Sequence, residues 1–356
     1  MTDLAKRFPQ NPLLKPEDVR PSAEGMKIEC LLNPGVFRHE NRICLLVRVA
    51  ERPAPVSGRV RIPFLRNGKP EILELDEKDP ALDTSDPREF KYCGIGYLST
   101  ISHLRLFTSE DGFRFEDAGL QLHGEGEYEA FGIEDCRVAT LRDGRFLLAY
   151  TAVSENGYGP GLRITSDWSR FDSLGMILPP PNKDVAIFEE QIGGNHYCLH
   201  RPSGVVVGGH YIWIASSPDL RHWGNYRCIA KTRPGSWDSS RVGGGGAPIR
   251  TDQGWLVIYH GADDKSVYRL GAMLLDLNEP WRVLARSAMP IMEPVAPYEQ
   301  KGFFSNVVFT NGHLVNGNTV TIYYGAADKV ICGATFSLAD IFGSFHPDPC
   351  ASTTRT

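Results

Sequence analysis

Apolar residues come in short runs along this chain, and most of the runs end in polar or aromatic residues. Ile43-Cys-Leu-Leu-Val-Arg-Val-Ala50, Phe146-Leu-Leu-Ala-Tyr-Thr151, His196-Tyr-Cys-Leu-His200, Trp255-Leu-Val-Ile-Tyr-His260 and Val320-Thr-Ile-Tyr-Tyr324 have the length and side-chain content of strands. Four of them are followed by a second strand pattern: Leu162-Arg-Ile-Thr165, Tyr211-Ile-Trp-Ile214, Arg269-Leu-Gly-Ala-Met-Leu-Leu275 and Val330-Ile-Cys-Gly-Ala-Thr335. A phrase also repeats. Ser109-Glu-Asp-Gly-Phe-Arg-Phe115 matches Ser217-Pro-Asp-Leu-Arg-His-Trp223, and Ser166-Asp-Trp-Ser-Arg-Phe171 is a looser copy. A serine or aspartate at a turn, with an aromatic ring a few residues on, predicts a turn closed by side-chain hydrogen bonds. The copies stand roughly 50 to 60 residues apart, the spacing of propeller blades. About five such units fit the chain, so the pattern predicts an all-β fold, a five-bladed β-propeller. Helix is scarce, with one short turn expected at Leu338-Ala-Asp-Ile-Phe342.

This beat divides the chain. Residues 31–345 form the propeller. Residues 1–30, polar and proline-punctuated, are an N-terminal extension packing on it, and 346–356 are a C-terminal tail. Residues 51–92 are an insertion rich in Pro, Asp, Lys and Arg, with a hairpin expected at Arg66-Asn-Gly-Lys69. The extension and the insertion are the places expected to form either a lid or the interface of a possible homo-oligomer. The abundance of glycine (36) and proline (25) agrees with short strands and tight turns. A net charge of -5 speaks against nucleic acid or an anionic membrane as partner. No apolar run has the length of a signal peptide or a membrane span, so a cytoplasmic location is expected. The eight cysteines form no C-x-x-C pair, and Cys136 reads as structural rather than nucleophilic.

Propellers place their sites where strand ends converge, so polar groups at matching strand ends are the candidates. Glu134-Asp135-Cys-Arg137 joins an acidic pair to an arginine just before a strand. That arrangement suits a catalytic acid, although a surface ion pair at a turn would look the same. Asn182-Lys-Asp184, His200-Arg-Pro202, Asp238-Ser-Ser-Arg241, Tyr259-His-Gly-Ala-Asp263 and Gly325-Ala-Ala-Asp328 occupy comparable points, as does Arg48. Arg48 interrupts an apolar run and needs an acceptor or a ligand. Arg48, Arg201, Arg241 and His260 brought together would make an anion site, because guanidinium groups bind phosphate through paired hydrogen bonds. The glycines at 243–246 read as a flexible turn without a P-loop lysine. Asp135, Asp263, Asp328 and His260 lack recognised metal-ligand spacing, so no metal is expected.

These phrases, from about Pro34 to Phe342, resemble glycoside hydrolase family 130, the mannoside phosphorylases and related mannosidases. Gly132-Ile-Glu-Asp135, Asn182-Lys-Asp184, Leu199-His-Arg-Pro202, Asp238-Ser-Ser-Arg-Val-Gly243, Tyr259-His-Gly261, Tyr268-Arg-Leu-Gly-Ala-Met-Leu-Leu-Asp276 and Tyr324-Gly-Ala-Ala-Asp328 carry the likeness. The resemblance implies a five-bladed propeller that cleaves β-mannosides with inversion, giving α-mannose 1-phosphate in the phosphorylases. It implies Asp135 as proton donor, its proton passing through a sugar hydroxyl. Arg48, Arg201, Arg241 and His260 would bind phosphate, and Glu134, Lys183, His200, Asp263 and Asp328 the sugar. Basic residues at 201 and 241, where the mannosidases carry acidic ones, favour phosphorolysis, with inorganic phosphate as co-substrate and no other cofactor. The length of the 51–92 insertion suggests β-1,2-linked mannobiose or oligomannosides. Two departures run the other way. Cys136 stands where proline is common, and Glu189-Glu-Gln191 where Pro-Glu-Lys is common. Glu189 or Glu190 could then serve as the base of an inverting β-mannosidase. A non-catalytic sugar-binding propeller is the third reading.

Overall fold

The computed structural model describes residues 3–86, 88–204 and 207–347. The expected tail therefore lies outside the described residues from 348 onward. The fold is all-β, and five antiparallel sheets follow one another along the chain. The first contains Met26–His39, Arg42–Pro53, Ile101–Ser109 and Glu116–Leu122. The second contains Ile133–Thr140, Phe146–Ser154, Gly157–Thr165 and Asp172–Met176. The third contains Asn182–Ile187, His196–Pro202, Ile212–Ser217 and Gly224–Ala230. The fourth runs through Arg241–Gly244, Gly254–Ala262, Tyr268–Leu275 and Val283–Ser287, with Phe345–Pro347 on its outer edge. The fifth has Val308–Asn316, Thr319–Ala326 and Val330–Ser337, and its outer strand is Lys6–Arg7 from the other end of the chain.

The apolar runs of the sequence are the second strands of these sheets. Every residue of Gly254–Ala262 is buried, and Phe146–Ser154 is nearly so. A strand covered on both faces has no reason to alternate, which is why these runs read as continuous. The core divides accordingly into clusters between successive sheets. Leu46, Leu104, Val138 and Leu148 join the first and second, and Leu147, Leu162, Val185 and Cys198 the second and third. Phe188, Ile214, Val257 and Tyr259 join the third and fourth, and Leu256, Leu270, Val320 and Ile322 the fourth and fifth. Leu45, Val47, Tyr323 and Ile331 join the fifth back to the first.

The repeated phrase closes the turn after each third strand. The Asp111 carboxylate accepts the N–H groups of Phe113 and Arg114, both at 2.8 Å. Asp167 accepts those of Ser169 and Arg170, and Asp219 those of Arg221 and His222. Asp276 does the same for Asn278 and Glu279 before Trp281, a copy with no serine to mark it. In the fifth sheet Ser337 accepts the Asp340 N–H and caps the helix Leu338–Gly343.

The second strand of the first sheet runs on to Pro53, into the segment read as an insertion. Beyond it Arg59–Arg66 and Lys69–Asp76 form the expected hairpin, turning at Asn67 (φ 53°) and Gly68 (φ 73°). Leu82–Asp83, Glu89–Tyr92 and Ile95–Leu98 make a small sheet.

Candidate active site

The first strands of four of the sheets share a device absent from the apolar pattern. Their pairing slips by a bulge between Leu32 and Gly35, Glu134 and Arg137, Lys183 and Ala186, and Thr310 and His313. The residues at the first three bulges, Asn33, Asp135 and Asp184, have φ of 32°, 50° and 58°. Asparagine and aspartate tolerate this left-handed region better than other side chains, and a bulge there re-aims one residue off the pleat. Four polar residues, Asn33, Asp135, Asp184 and Asn311, are thereby buried among the innermost strands. Asn311 donates to the Asn33 carbonyl at 3.0 Å, and Asn33 donates to Asp135 Oδ1 at 3.2 Å.

Two charged clusters stand on this frame. In the first, Arg48 donates through Nη1 to Asp135 Oδ1 (3.1 Å), through Nη2 to Glu134 Oε1 (2.7 Å) and through Nε to Ser102 Oγ (2.9 Å). Burial pushes the Asp135 carboxyl up, but Arg48, with Lys183 and Arg137, holds it below the usual carboxylate range. Asp328, from the turn after Thr319–Ala326, goes the other way. Burial and the neighbouring Asp135 charge push it up to about 6, against Arg48 and Lys183. Of these two carboxyls, Asp328 is therefore the easier to protonate.

The second cluster is built on Asp184. It takes Arg201 Nε at 2.6 Å and Arg137 Nη2 at 3.3 Å, and the His260 ring lies 3.4 Å away. Burial opposes its charge, yet the Arg201 and Arg137 guanidinium groups drive its pKa well below normal. His260 is fully buried, with no hydrogen bond on either ring nitrogen among the described residues. Burial takes it down to about 4, so its ring is neutral. Arg241 donates to the Tyr268 hydroxyl at 3.0 Å and leaves Nε without a partner among the described residues. His210 stands beside this cluster, its pKa lowered by burial and then by the charges of Arg201 and Arg241. Arg137 ties the clusters together, donating also to the Asp135, Gly244 and Gly245 carbonyls, each at 2.9 Å.

The structure thus brings Arg201, Arg241 and His260 together, and separately Arg48, Glu134, Asp135, Lys183 and Asp328. Arg48 is not grouped with the other arginines as the sequence suggested. Its acceptor is the acidic pair, a partner that an arginine inside an apolar run does not disclose. His200 is buried, its Nδ1 paired with Asn182 and its pKa taken down to about 4 by burial. Asp263 binds the N–H groups of Lys265 and Val267 and pairs with Arg269 at 2.9 Å, and so holds its own turn. The glycine run is no flexible turn. A Cβ on Gly243 would lie 2.4 Å from Asp184 Oδ2 and 2.4 Å from the His260 ring, so glycine is required for this approach. Glu189 and Glu190 fall at the wrong end of their sheet. Glu189 accepts the N–H of Thr140, five residues and about 16 Å of strand beyond Asp135. Glu190 pairs with Arg142 and Arg250. Cys136 is buried, and burial raises its thiol. Among the described residues no group of three or more His, Cys, Asp or Glu could hold a metal ion.

The sequence reading passed over Asp184, Arg137, Asn33, Asn311, His210 and Tyr268. Asp184, Arg137 and Tyr268 lay inside quoted motifs without a role of their own, and Asn33 and Asn311 were not singled out. His210 carried no signal.

The comparisons with known proteins agree with this geometry. The profile of a family described as beta-1,4-mannooligosaccharide phosphorylase matches residues 96–345. The chain belongs to glycoside hydrolase family 130, a family of enzymes. A beta-1,2-mannobiose phosphorylase from Listeria innocua is 43% identical over 343 residues, covering 94% of this chain and 96% of the relative. The solved structure of the Listeria innocua beta-1,2-mannobiose phosphorylase with beta-1,2-mannobiose superposes with a TM-score of 0.90 at 41% identity. It covers 96% of this chain and 98% of its own. A 1,2-beta-oligomannan phosphorylase from Thermoanaerobacter is 40% identical over 251 residues, 69% of this chain and 82% of its own.

Proposed function

We propose that this chain phosphorolyses short β-1,2-linked mannosides, mannobiose or oligomannosides, to α-mannose 1-phosphate with inversion. Asp135 protonates the glycosidic oxygen through a sugar hydroxyl as its bond to the anomeric carbon breaks. A phosphate oxygen, held by Arg201 and Arg241, forms the new bond from the opposite face. One observation carries this reading over hydrolysis. Among the described residues the carboxylate of the Arg201–Arg241 cluster is Asp184, and it is engaged by Arg201 and Arg137 and held ionised. A base that activates water needs a free carboxylate facing the anomeric carbon, whereas phosphate is already a nucleophile and needs cations. The names of the two relatives point the same way for linkage. Glu134, Lys183 and Asp328 surround Asp135 as sugar-binding groups in this reading, and His260 packs beneath the anion site.

The same reading takes the five sheets as blades of a five-bladed propeller. Supporting it, their apolar clusters run from the first sheet to the fifth and back to the first, and Lys6–Arg7 completes the fifth sheet.

The test is product analysis with β-1,2- and β-1,4-mannobiose, with and without inorganic phosphate. Mannose 1-phosphate released from the β-1,2 disaccharide only when phosphate is present is the expected result. Free mannose released at equal rate without phosphate would reverse the reading in favour of a hydrolase.

A further inference from the structure

Arg48 makes three directed hydrogen bonds, and none of them faces the Arg201–Arg241 cluster. Its Nε is fixed by Ser102 at 2.9 Å, and its two terminal nitrogens bridge Glu134 and Asp135 at 2.7 and 3.1 Å. A guanidinium bound in this way leaves a carboxylate no reason to hold a proton. A general acid, however, must hold one when the bond breaks.

We propose that Arg48 is a positioning residue that holds the acid Asp135 as an ion in the free enzyme, and that the proton is loaded only when the mannoside occupies the site. This rests on the phosphorolytic reading above. It replaces the role of phosphate ligand that the sequence suggested for Arg48. Three cations and two carboxyls face Asp135. Glu134 and Arg137 lie on its own strand, Arg48 comes from the second strand of the first sheet, and Lys183 from the third sheet. Asp328 comes from the fifth, and the uncharged Asn33 from the first strand. Asp328 is pushed up only to about 6, so near pH 7.5 both carboxyls are largely ionised before sugar binds. Loading then draws one proton from solution onto the Asp135–Asp328 pair, and Asp135 holds it when the bond breaks. In the reaction that proton passes to the leaving oxygen through the sugar hydroxyl. Arg48 keeps Glu134 as its partner throughout.

The experiment begins with the wild type, whose phosphate-dependent release of mannose 1-phosphate is established first. Failure at that stage would concern the proposed function and not Arg48. Proton uptake on binding β-1,2-mannobiose without phosphate is then measured by calorimetry in buffers of different ionisation enthalpy at pH 7.5. The pH profile of kcat/KM and the KM for phosphate are compared for wild type, Arg48→Gln and Ser102→Ala. The wild type is expected to take up close to one proton per site at pH 7.5, and the contrast with Arg48→Gln is read in the pH profile. The alkaline limb of kcat/KM is expected to move up by about one pH unit or more in Arg48→Gln, and by less in Ser102→Ala. The KM for phosphate should stay within about twofold of wild type. No proton uptake by the wild type would overturn the proposal, and that measurement stands even if Arg48→Gln does not fold. A limb that stays in place while the KM for phosphate rises about tenfold would return Arg48 to the phosphate site. An unmoved limb with unchanged phosphate KM would leave it a purely structural residue and equally overturn the proposal.

Discussion

Asp328 and Asp184 are both buried carboxyls, yet their neighbours give them opposite effects on stability. The folded pKa of Asp328 is raised to about 6, so what it contributes is present below the unfolded value and is lost as pH rises through 6. At pH 7.5 its ionisation costs on the order of 3 kcal/mol. Asp328→Asn is therefore expected to melt about 5 °C higher than wild type at pH 7.5 and about the same at pH 4, while activity falls. A melting curve at each pH checks this, and an equal gain at both would remove the electrostatic explanation. Asp184 has a depressed pKa, so its contribution is present above the unfolded value and is lost as pH falls below about 4. Asp184→Asn leaves Arg201 and Arg137 without their shared counter-charge. It is expected to cost about 3 to 5 kcal/mol and to raise the KM for phosphate more than that for mannobiose. Steady-state kinetics with each substrate varied in turn would show the contrast. Equal changes in both would mean that Asp184 does not orient the anion site.

At the scale of elements, legibility followed burial. The second strands were found because both their faces are largely covered, so apolar residues run on without alternation. The aspartate turns were found because Asp111 and Asp219 each stand two residues after a serine and four before an aromatic ring. The copy at Asp276 was missed because it keeps the hydrogen bonds but not the serine. The innermost strands were hardly legible. Arg241–Gly244 is short, and a bulge breaks the alternation of the longer ones at the very residue it re-aims. For the same reason the sequence located Asp135 but could not tell which arginine faced it. A change of one atom tests how closely these strands must approach. Gly243→Ala would place a methyl carbon against Asp184 and His260, and is expected to cost about 1 to 3 kcal/mol and to lower activity by disturbing Arg201. Wild-type kinetics in this variant would mean that the neighbours move aside freely.

The whole molecule is held at its seam by residues from opposite ends of the sequence. Lys6–Arg7 pairs with Thr335 and Ala334, and Arg7 meets the fully buried Glu299 at 2.7 Å and the Glu293 carbonyl at 2.6 Å. Glu299 also accepts the Tyr324 hydroxyl at 2.7 Å. Arg7→Ala would leave that carboxylate buried without its cation, and a loss of about 3 kcal/mol is expected, with early proteolysis near the N-terminal strand. An unchanged melting temperature would show that the seam adds little. The seam also sets an order of events in the cell. Lys6 and Arg7 are synthesised well before their partners, Thr335 and Ala334. At 5 to 20 residues per second, the leading strand spends roughly 15 to 65 seconds with no edge to join. The fifth sheet can be finished only after Thr335 has been made. A nascent chain stalled before residue 330 should therefore expose its first residues to protease, however well its earlier sheets have formed.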